Sequence, residues 1–170
     1  FRRVLFRSRA AMSELCRYVD VCIANEEDAK DVFGITAKNS DIPLGKLDYE
    51  SYKEVALRLM KRFSFEKVAI TLRTSHSASD NGWAAMLFDG SEYYLSRSYN
   101  IRIVDRVGGG DSFSAALVYA LLSKKKSQDA LEFAVAASAL KHTVEGDFNR
   151  VTVAEVEKLL NDGGSGRVQR

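Results

Sequence analysis

Residues 104–113, V-D-R-V-G-G-G-D-S-F, gather the side chains and backbone most able to do chemistry. Three consecutive glycines, Gly108, Gly109 and Gly110, lie between an apolar strand candidate over 101–104 and an amphipathic helix candidate over 112–122. Glycine lets the backbone take turns closed to other residues and come close to a ligand. The free N–H groups and positive dipole end of the following helix attract anions, so a phosphate would fit here. Asp111 sets a puzzle, because a carboxylate is awkward in an anion site unless its charge is used. A general base beside a transferring phosphoryl group would use it. The plainer alternative is a flexible loop leading into a helix capped by Asp111, since Asp is a favoured N-cap and glycines form turns.

Three further constellations stand at element ends. Asn25 follows an apolar run over 18–24, just past a strand, where open α/β sheets bind ligands at their carboxyl ends. The acids after it, Glu26, Glu27 and Asp28, serve equally well as first-turn residues that favour a helix dipole. Thr71 lies near the end of a second apolar run over 67–72, with Arg73 and Ser75 beyond it. An arginine beside a triphosphate offers forked donors, although a solvated surface arginine is the ordinary case. Lys141, His142 and Thr143 end an alanine-rich segment and lead into the turn Glu145-Gly146-Asp147. A lone histidine there reads most simply as an exposed residue favoured by the helix dipole, and without partner ligands it does not suggest a metal.

These residues need elements to hold them. A short helix is predicted to follow Asn25-Glu26-Glu27-Asp28 and run to about Phe33, stopped by Gly34, and a longer one over 48–63. In the latter, Tyr52, Val55, Ala56, Leu59, Met60 and Phe63 share one stripe. Helices between the two apolar runs predict a crossover and a parallel pair of strands. After a polar loop over 74–82, the runs 83–88 and 92–95 flank Asp89-Gly90-Ser91 and predict a hairpin. Helices are predicted over 128–141, whose small alanine face allows close packing, and over 152–160, where Thr152 and Glu155 have capping-box spacing.

At 170 residues the chain suits one domain, and its 46% hydrophobic and 28% charged residues suggest neither disorder nor a membrane span. The net charge is only +2, and Arg2, Arg3, Arg7, Arg9, Arg167 and Arg170 crowd the two ends, so the interior implies no nucleic-acid surface. Cys16 and Cys22 are too few for a disulfide framework and read as small apolar residues in a reducing cytoplasm. Residues 1–12 and 163–170 show no regular period and are read as a non-native leader and tail around a domain over 13–162.

The glycine loop resembles the signature of the ribokinase-like, PfkB carbohydrate kinases, Asp-Thr-x-Gly-Ala-Gly-Asp. Here the pattern runs from Asp105 to Asp111, with Arg106 for Thr and Gly109 for Ala. Asn25-Glu26-Glu27-Asp28 is similar to the family's Asn-x-x-Glu, and Thr71-Leu72-Arg73 to its Thr-Leu-Gly. The resemblance implies a doubly wound α/β fold, with a mostly parallel sheet, flanking helices and a β-hairpin, incomplete on its N-terminal side because family members run to roughly twice this length. It implies ATP-dependent phosphorylation of a sugar, with Asp111 and the backbone of Gly108, Gly109 and Gly110 as catalytic groups. Asn25, Thr71, Arg73, Gly108, Gly110, Lys141 and His142 would line the nucleotide. Asp28 or Glu27 would bind magnesium through water, and a monovalent cation such as K+ would sit near Asp105 and the Val107 carbonyl. The segments 24–29, 70–81, 104–113 and 140–149 are most similar to 2-keto-3-deoxygluconate kinases; fructokinase or ribokinase specificity, a non-catalytic nucleotide-binding module and a ligand-free fragment are the alternatives. The implied partner is a small sugar or sugar acid, with no nucleic acid and no membrane, and the resemblance also allows a homo-oligomer. The present chain alone is expected to have little or no kinase activity.

Overall fold

The structure, a computed structural model, describes residues 2–35 and 49–161, and the expected loop around Pro43 and the tail over 163–170 lie outside these. Elements follow in the order α1 (Arg2–Leu15), a 3-10 turn (Cys16–Tyr18), β1 (Val21–Asn25), α2 (Glu26–Phe33), α3 (Tyr49–Phe63), β2 (Lys67–Ser75), β3 (Asp80–Phe88), β4 (Tyr93–Leu95), β5 (Tyr99–Arg102), α4 (Gly109–Leu122), α5 (Ser127–Lys141) and α6 (Val153–Asn161). The five strands form a mixed sheet in the order β1-β2-β3-β4, with β5 paired to β3. This is the expected α/β architecture with flanking helices. The residues group into two compact units, one of residues up to 72 together with 86–94, the other of residues 73–85 and those from 95 on.

In the first unit, β1 pairs in parallel with β2, from Val21 opposite Lys67 to Asn25 opposite Thr71. The helices between them make the crossover that parallel neighbours require. The predicted stripe of α3 is buried at Val55, Ala56, Leu59 and Phe63, with Tyr52 and Met60 half-buried. The Phe63 ring lies 4.7 Å from that of Phe33 and 5.4 Å from that of Phe65. Gly34 ends α2 in the left-handed conformation at φ 67°, as a helix stop requires. The first strand starts later than expected, because Cys16–Tyr18 curls into a 3-10 turn that leaves Tyr18 80% exposed. The opening segment, despite its lack of period, is the helix α1. It contains no Gly or Pro and is rich in Arg, Ala and Leu, which suffices for helix formation once tertiary contacts hold it. Arg9 Nε donates to the Asp31 carbonyl at 3.3 Å, and Arg62 Nη2 to Ser13 Oγ at 3.4 Å.

In the second unit, β3 pairs antiparallel with β5, from Asp80 opposite Arg102 to Trp83 opposite Tyr99. The polar loop expected over 74–82 shrinks to 76–79, since β2 runs on to Ser75 and β3 begins at Asp80. Backbone pairing overrides the polar composition there, and the Asp80 carbonyl accepts from the amides of His76 and Ser77, both at 3.0 Å. Helices α4 and α5 bury Phe113, Leu117, Ala120, Leu131, Ala134 and Val135, the close packing that the alanine face of α5 allows. At the start of α6, Thr152 Oγ1 accepts from the Glu155 amide at 3.3 Å. Glu155 Oε2 in turn accepts from the Thr152 amide at 2.8 Å, so the predicted capping box is present.

Candidate functional site

Helix α4 begins at Gly109, earlier than the polar-to-apolar pattern indicates, because Gly108 itself is the N-cap, in the left-handed region at φ 75°. Asp111 is therefore the third helical residue and not the cap, which removes the plainer reading of that carboxylate. Its side chain is exposed, and no described residue hydrogen-bonds to it. Glycine is obligatory at 108 on two counts: a β-carbon there would carry the positive φ and stand 2.5 Å from the Asp147 carbonyl oxygen. The Gly109 amide donates to the Arg106 carbonyl at 3.3 Å, and the Ser112 amide closes the first turn on the Gly108 carbonyl at 2.9 Å. The amides of Gly108, Gly110 and Asp111 have no acceptor among the described residues. A helix start with three unspent donors has the chemistry to hold an anion, and an exposed carboxylate stands in the same turn.

The second unit also brings the 105–111 segment against 141–147. Asp105 Oδ1 accepts from the Val107 amide at 3.0 Å and Oδ2 from the Gly146 amide at 2.9 Å, so one carboxylate ties the two segments together. These two amides, aided by the Lys141 charge, hold the Asp105 carboxyl below its usual range. Lys141 is wholly buried, and its Nζ donates to the Val144 carbonyl at 3.3 Å.

His142, expected to be exposed at a helix end, is 5% accessible. Its ring lies 4.7 Å from that of Trp83, and Nδ1 is 2.6 Å from the Ser138 carbonyl. A carbonyl only accepts, so Nδ1 carries the proton. The His142 carbonyl in turn accepts from the amides of Val104, at 2.8 Å, and Asp105, at 3.2 Å. Burial pushes the imidazole below its ordinary pKa, despite the opposing bond to Ser138. Trp83, which donates from Nε1 to Ser138 Oγ at 2.7 Å, and Asp147 are supports that the motif reading missed. Asp147 was visible only as part of a turn, and nothing in the sequence connected Trp83 to His142.

In the first unit, Asn25, the last residue of β1, lies opposite Thr71, which is the fifth of the nine residues of β2 and not its end, because the strand runs on through Arg73 to Ser75. The Asn25 side chain accepts from the amides of Glu27, at 2.8 Å, and Asp28, at 2.9 Å, while Asp28 Oδ2 accepts from the Asn25 amide at 2.9 Å. Asn25 and Asp28 thus form a complete capping box, Glu27 is exposed, and Thr71 is buried. Arg73, in the second unit, is exposed.

The sequence profile of the pfkB family carbohydrate kinases matches residues 4–152, which takes in the glycine turn, Asn25, Thr71 and His142 alike. The chain belongs to this family. Among its pfkB relatives, a 2-dehydro-3-deoxygalactonokinase of Haloferax volcanii is 31% identical over 159 residues, covering 94% of this chain and 43% of that protein. The crystal structure of 2-dehydro-3-deoxygluconokinase from Thermotoga maritima superposes with a TM-score of 0.84 at 43% identity, over 92% of this chain and 46% of that one. A putative ribokinase II from E. coli, in complex with ATP and Mg2+, shares the fold alone, with a TM-score of 0.67 at 17% identity over 91% and 43% of the two chains. The chain thus spans less than half the length of the pfkB relatives it matches.

Proposed function

We propose that this chain carries the catalytic base and the phosphate-binding turn of an ATP-dependent sugar kinase, and that the acceptor is a 2-keto-3-deoxy sugar acid, 2-keto-3-deoxygluconate above all. The observation that carries this reading is the exposed Asp111 carboxylate in the first turn of α4, among the unspent amides of Gly108, Gly110 and Asp111. The sugar is taken from the names of the Haloferax and Thermotoga relatives and from the resemblance of 104–113 and 140–149.

In this reading Asp111 accepts the proton of the sugar's primary hydroxyl as its oxygen attacks the γ-phosphorus of ATP, and ADP leaves. The three free amides and the α4 dipole lower the energy of the negative charge gathering on the transferring group. Asn25 and Thr71 serve the nucleotide phosphates, and His142 and Lys141 support the loop that carries Asp105. Among the described residues no three His, Cys, Asp or Glu side chains cluster to hold a metal. Magnesium would be bound through few carboxylates and the substrate's own phosphates and would neutralise part of their charge. Glu27 and Asp28 are the carboxylates assigned to it, through water.

The decisive experiment measures ADP release by the natural polypeptide containing these residues, with 2-keto-3-deoxygluconate, 2-keto-3-deoxygalactonate, fructose and ribose as acceptors. Preference for the keto-deoxy acids supports the assignment; equal or better turnover of fructose or ribose overturns the sugar, and no turnover of any overturns the kinase reading. The chain as it stands here should bind Mg·ATP weakly and turn over little, and rapid phosphorylation by residues 1–170 alone would contradict that.

A further inference from the structure

The corner beneath the glycine turn already holds a positive charge. Lys141 is wholly buried, yet its Nζ has a single hydrogen bond among the described residues, to the Val144 carbonyl at 3.3 Å. Its Cε lies 3.4 Å from where a Gly108 β-carbon would be, so the ammonium end of the side chain abuts the turn itself. The Asp105 carboxylate feels that charge while it binds the Val107 and Gly146 amides. A buried ammonium is costly unless opposed by negative charge and acceptors, and Asp105 with the Val144 carbonyl supplies both. Asp105 is one of the two groups, with the Val107 carbonyl, from which a monovalent cation would draw its ligands. A second cation beside the ammonium would meet like-charge repulsion. The donor set therefore does not fit an added K+.

We propose that Lys141 is the built-in counterpart of a monovalent cation: its ammonium supplies the fixed positive charge behind the 105–108 loop, and the protein needs no K+. Lys141 is in this view a positioning residue. It holds the Asp105 carboxylate and the 143–147 turn where they keep the amides of Gly108 and Gly110 available, and its charge favours an anion at the turn. The inference rests on the kinase reading only for what the anion is; the occupancy of the corner by Lys141 stands on its own.

The test compares the natural polypeptide and its Lys141→Met variant in potassium and in choline at equal ionic strength, by thermal unfolding without nucleotide and by calorimetric titration with Mg·ATP. In the unmodified protein the melting temperature should be the same in the two salts and the ATP Kd should agree within about twofold, a difference under roughly 0.5 kcal/mol. In Lys141→Met the vacated corner should take up K+, so that potassium specifically raises the melting temperature by several degrees and restores part of a roughly tenfold or greater loss of ATP affinity. A potassium-specific rise in the melting temperature of the unmodified protein overturns the proposal, as does a Lys141→Met variant indifferent to potassium. If Lys141→Met does not fold, Lys141→Gln, prepared in potassium and then exchanged into choline, replaces it: unfolding on exchange supports the proposal, and indifference overturns it. If the unmodified protein binds no ATP in either salt, the kinase reading fails, and the unfolding comparison still decides the role of Lys141.

Discussion

The imidazole of His142 fills the space that a side chain at Gly109 would need: a β-carbon there would stand 2.6 Å from Cε1 and 2.7 Å from Nε2. The ring cannot simply swing away, since Nδ1 is bound to the Ser138 carbonyl at 2.6 Å and Trp83 lies against it. Gly109 stands where the family pattern carries alanine, so the glycine and the buried histidine read as a matched pair. In an ordinary helix Gly→Ala stabilises by about 0.5–1 kcal/mol. Overpacking a buried site costs about 1–3 kcal/mol, so here the clash decides the sign. Gly109→Ala should lower the melting temperature, and adding His142→Ala should recover part of the loss, giving a favourable coupling in a double-mutant cycle. Additive effects, or a stabilising Gly109→Ala, would show that the ring moves freely.

The same burial makes His142 a source of acid sensitivity. Its folded pKa is depressed below the ordinary 6.5, first by desolvation and then by the nearby positive charges of Lys141, Arg106 and Arg73. The unfolded chain therefore binds a proton that the folded chain resists. Stability from this group is complete above about pH 6.5, the unfolded value, and falls as pH drops from there toward the folded value. Thermal unfolding followed from pH 8 to 5 should show that decline, and His142→Gln should flatten it within the window just below the unfolded value. An unchanged profile in the variant would assign the acid sensitivity to the carboxylates instead.

Cys22 offers a third check, in the first unit. Burial pushes its thiol up to about 12, with smaller contributions from Cys16 and Asp28. Since the thiolate is the reactive form, the native protein should resist iodoacetamide at pH 8 and react once unfolded in guanidinium. Mass spectrometry of the native digest should find Cys22 unmodified; rapid native labelling would mean that β1 is far more open than the structure shows.

How much of this was legible in the sequence depended on range. Gly34, the Thr152–Glu155 box and the Asp89-Gly90-Ser91 turn act over a few residues, and each was readable because one local hydrogen bond or one φ angle decides it. The side-by-side placement of Asn25 and Thr71 required a strand register, which spacing alone suggests only loosely. The burial of Lys141 and His142 was not legible at all. Both are polar residues at a helix end, and what draws them inward is a ring at Trp83 and a turn at Gly108. The helix over Arg2–Leu15 was hidden for the opposite reason: its formers are good, but the arginines at 2, 3, 7 and 9 break up the apolar run in the sequence.

The central prediction concerns Asp111. In the third helical position, its exposed carboxylate is not needed to cap α4, since Gly108 occupies that place and Ser112 closes the turn on the Gly108 carbonyl. Asp111→Asn should therefore leave the fold nearly intact, with some loss from removing a negative charge near a helix N-terminus, about 0.3–1 kcal/mol. Nucleotide affinity should be unchanged or slightly better, because a negative charge leaves an anion site. Phosphoryl transfer should nevertheless drop by roughly 10²-fold or more, the scale on which loss of a general base is felt. The comparison to make is kcat against ATP Kd in the natural polypeptide, with the melting temperature as a control on folding. If kcat stays within about twofold while Kd and melting temperature hold, Asp111 carries no proton in the reaction, and the carboxylate merely shares a helix turn with the phosphate site.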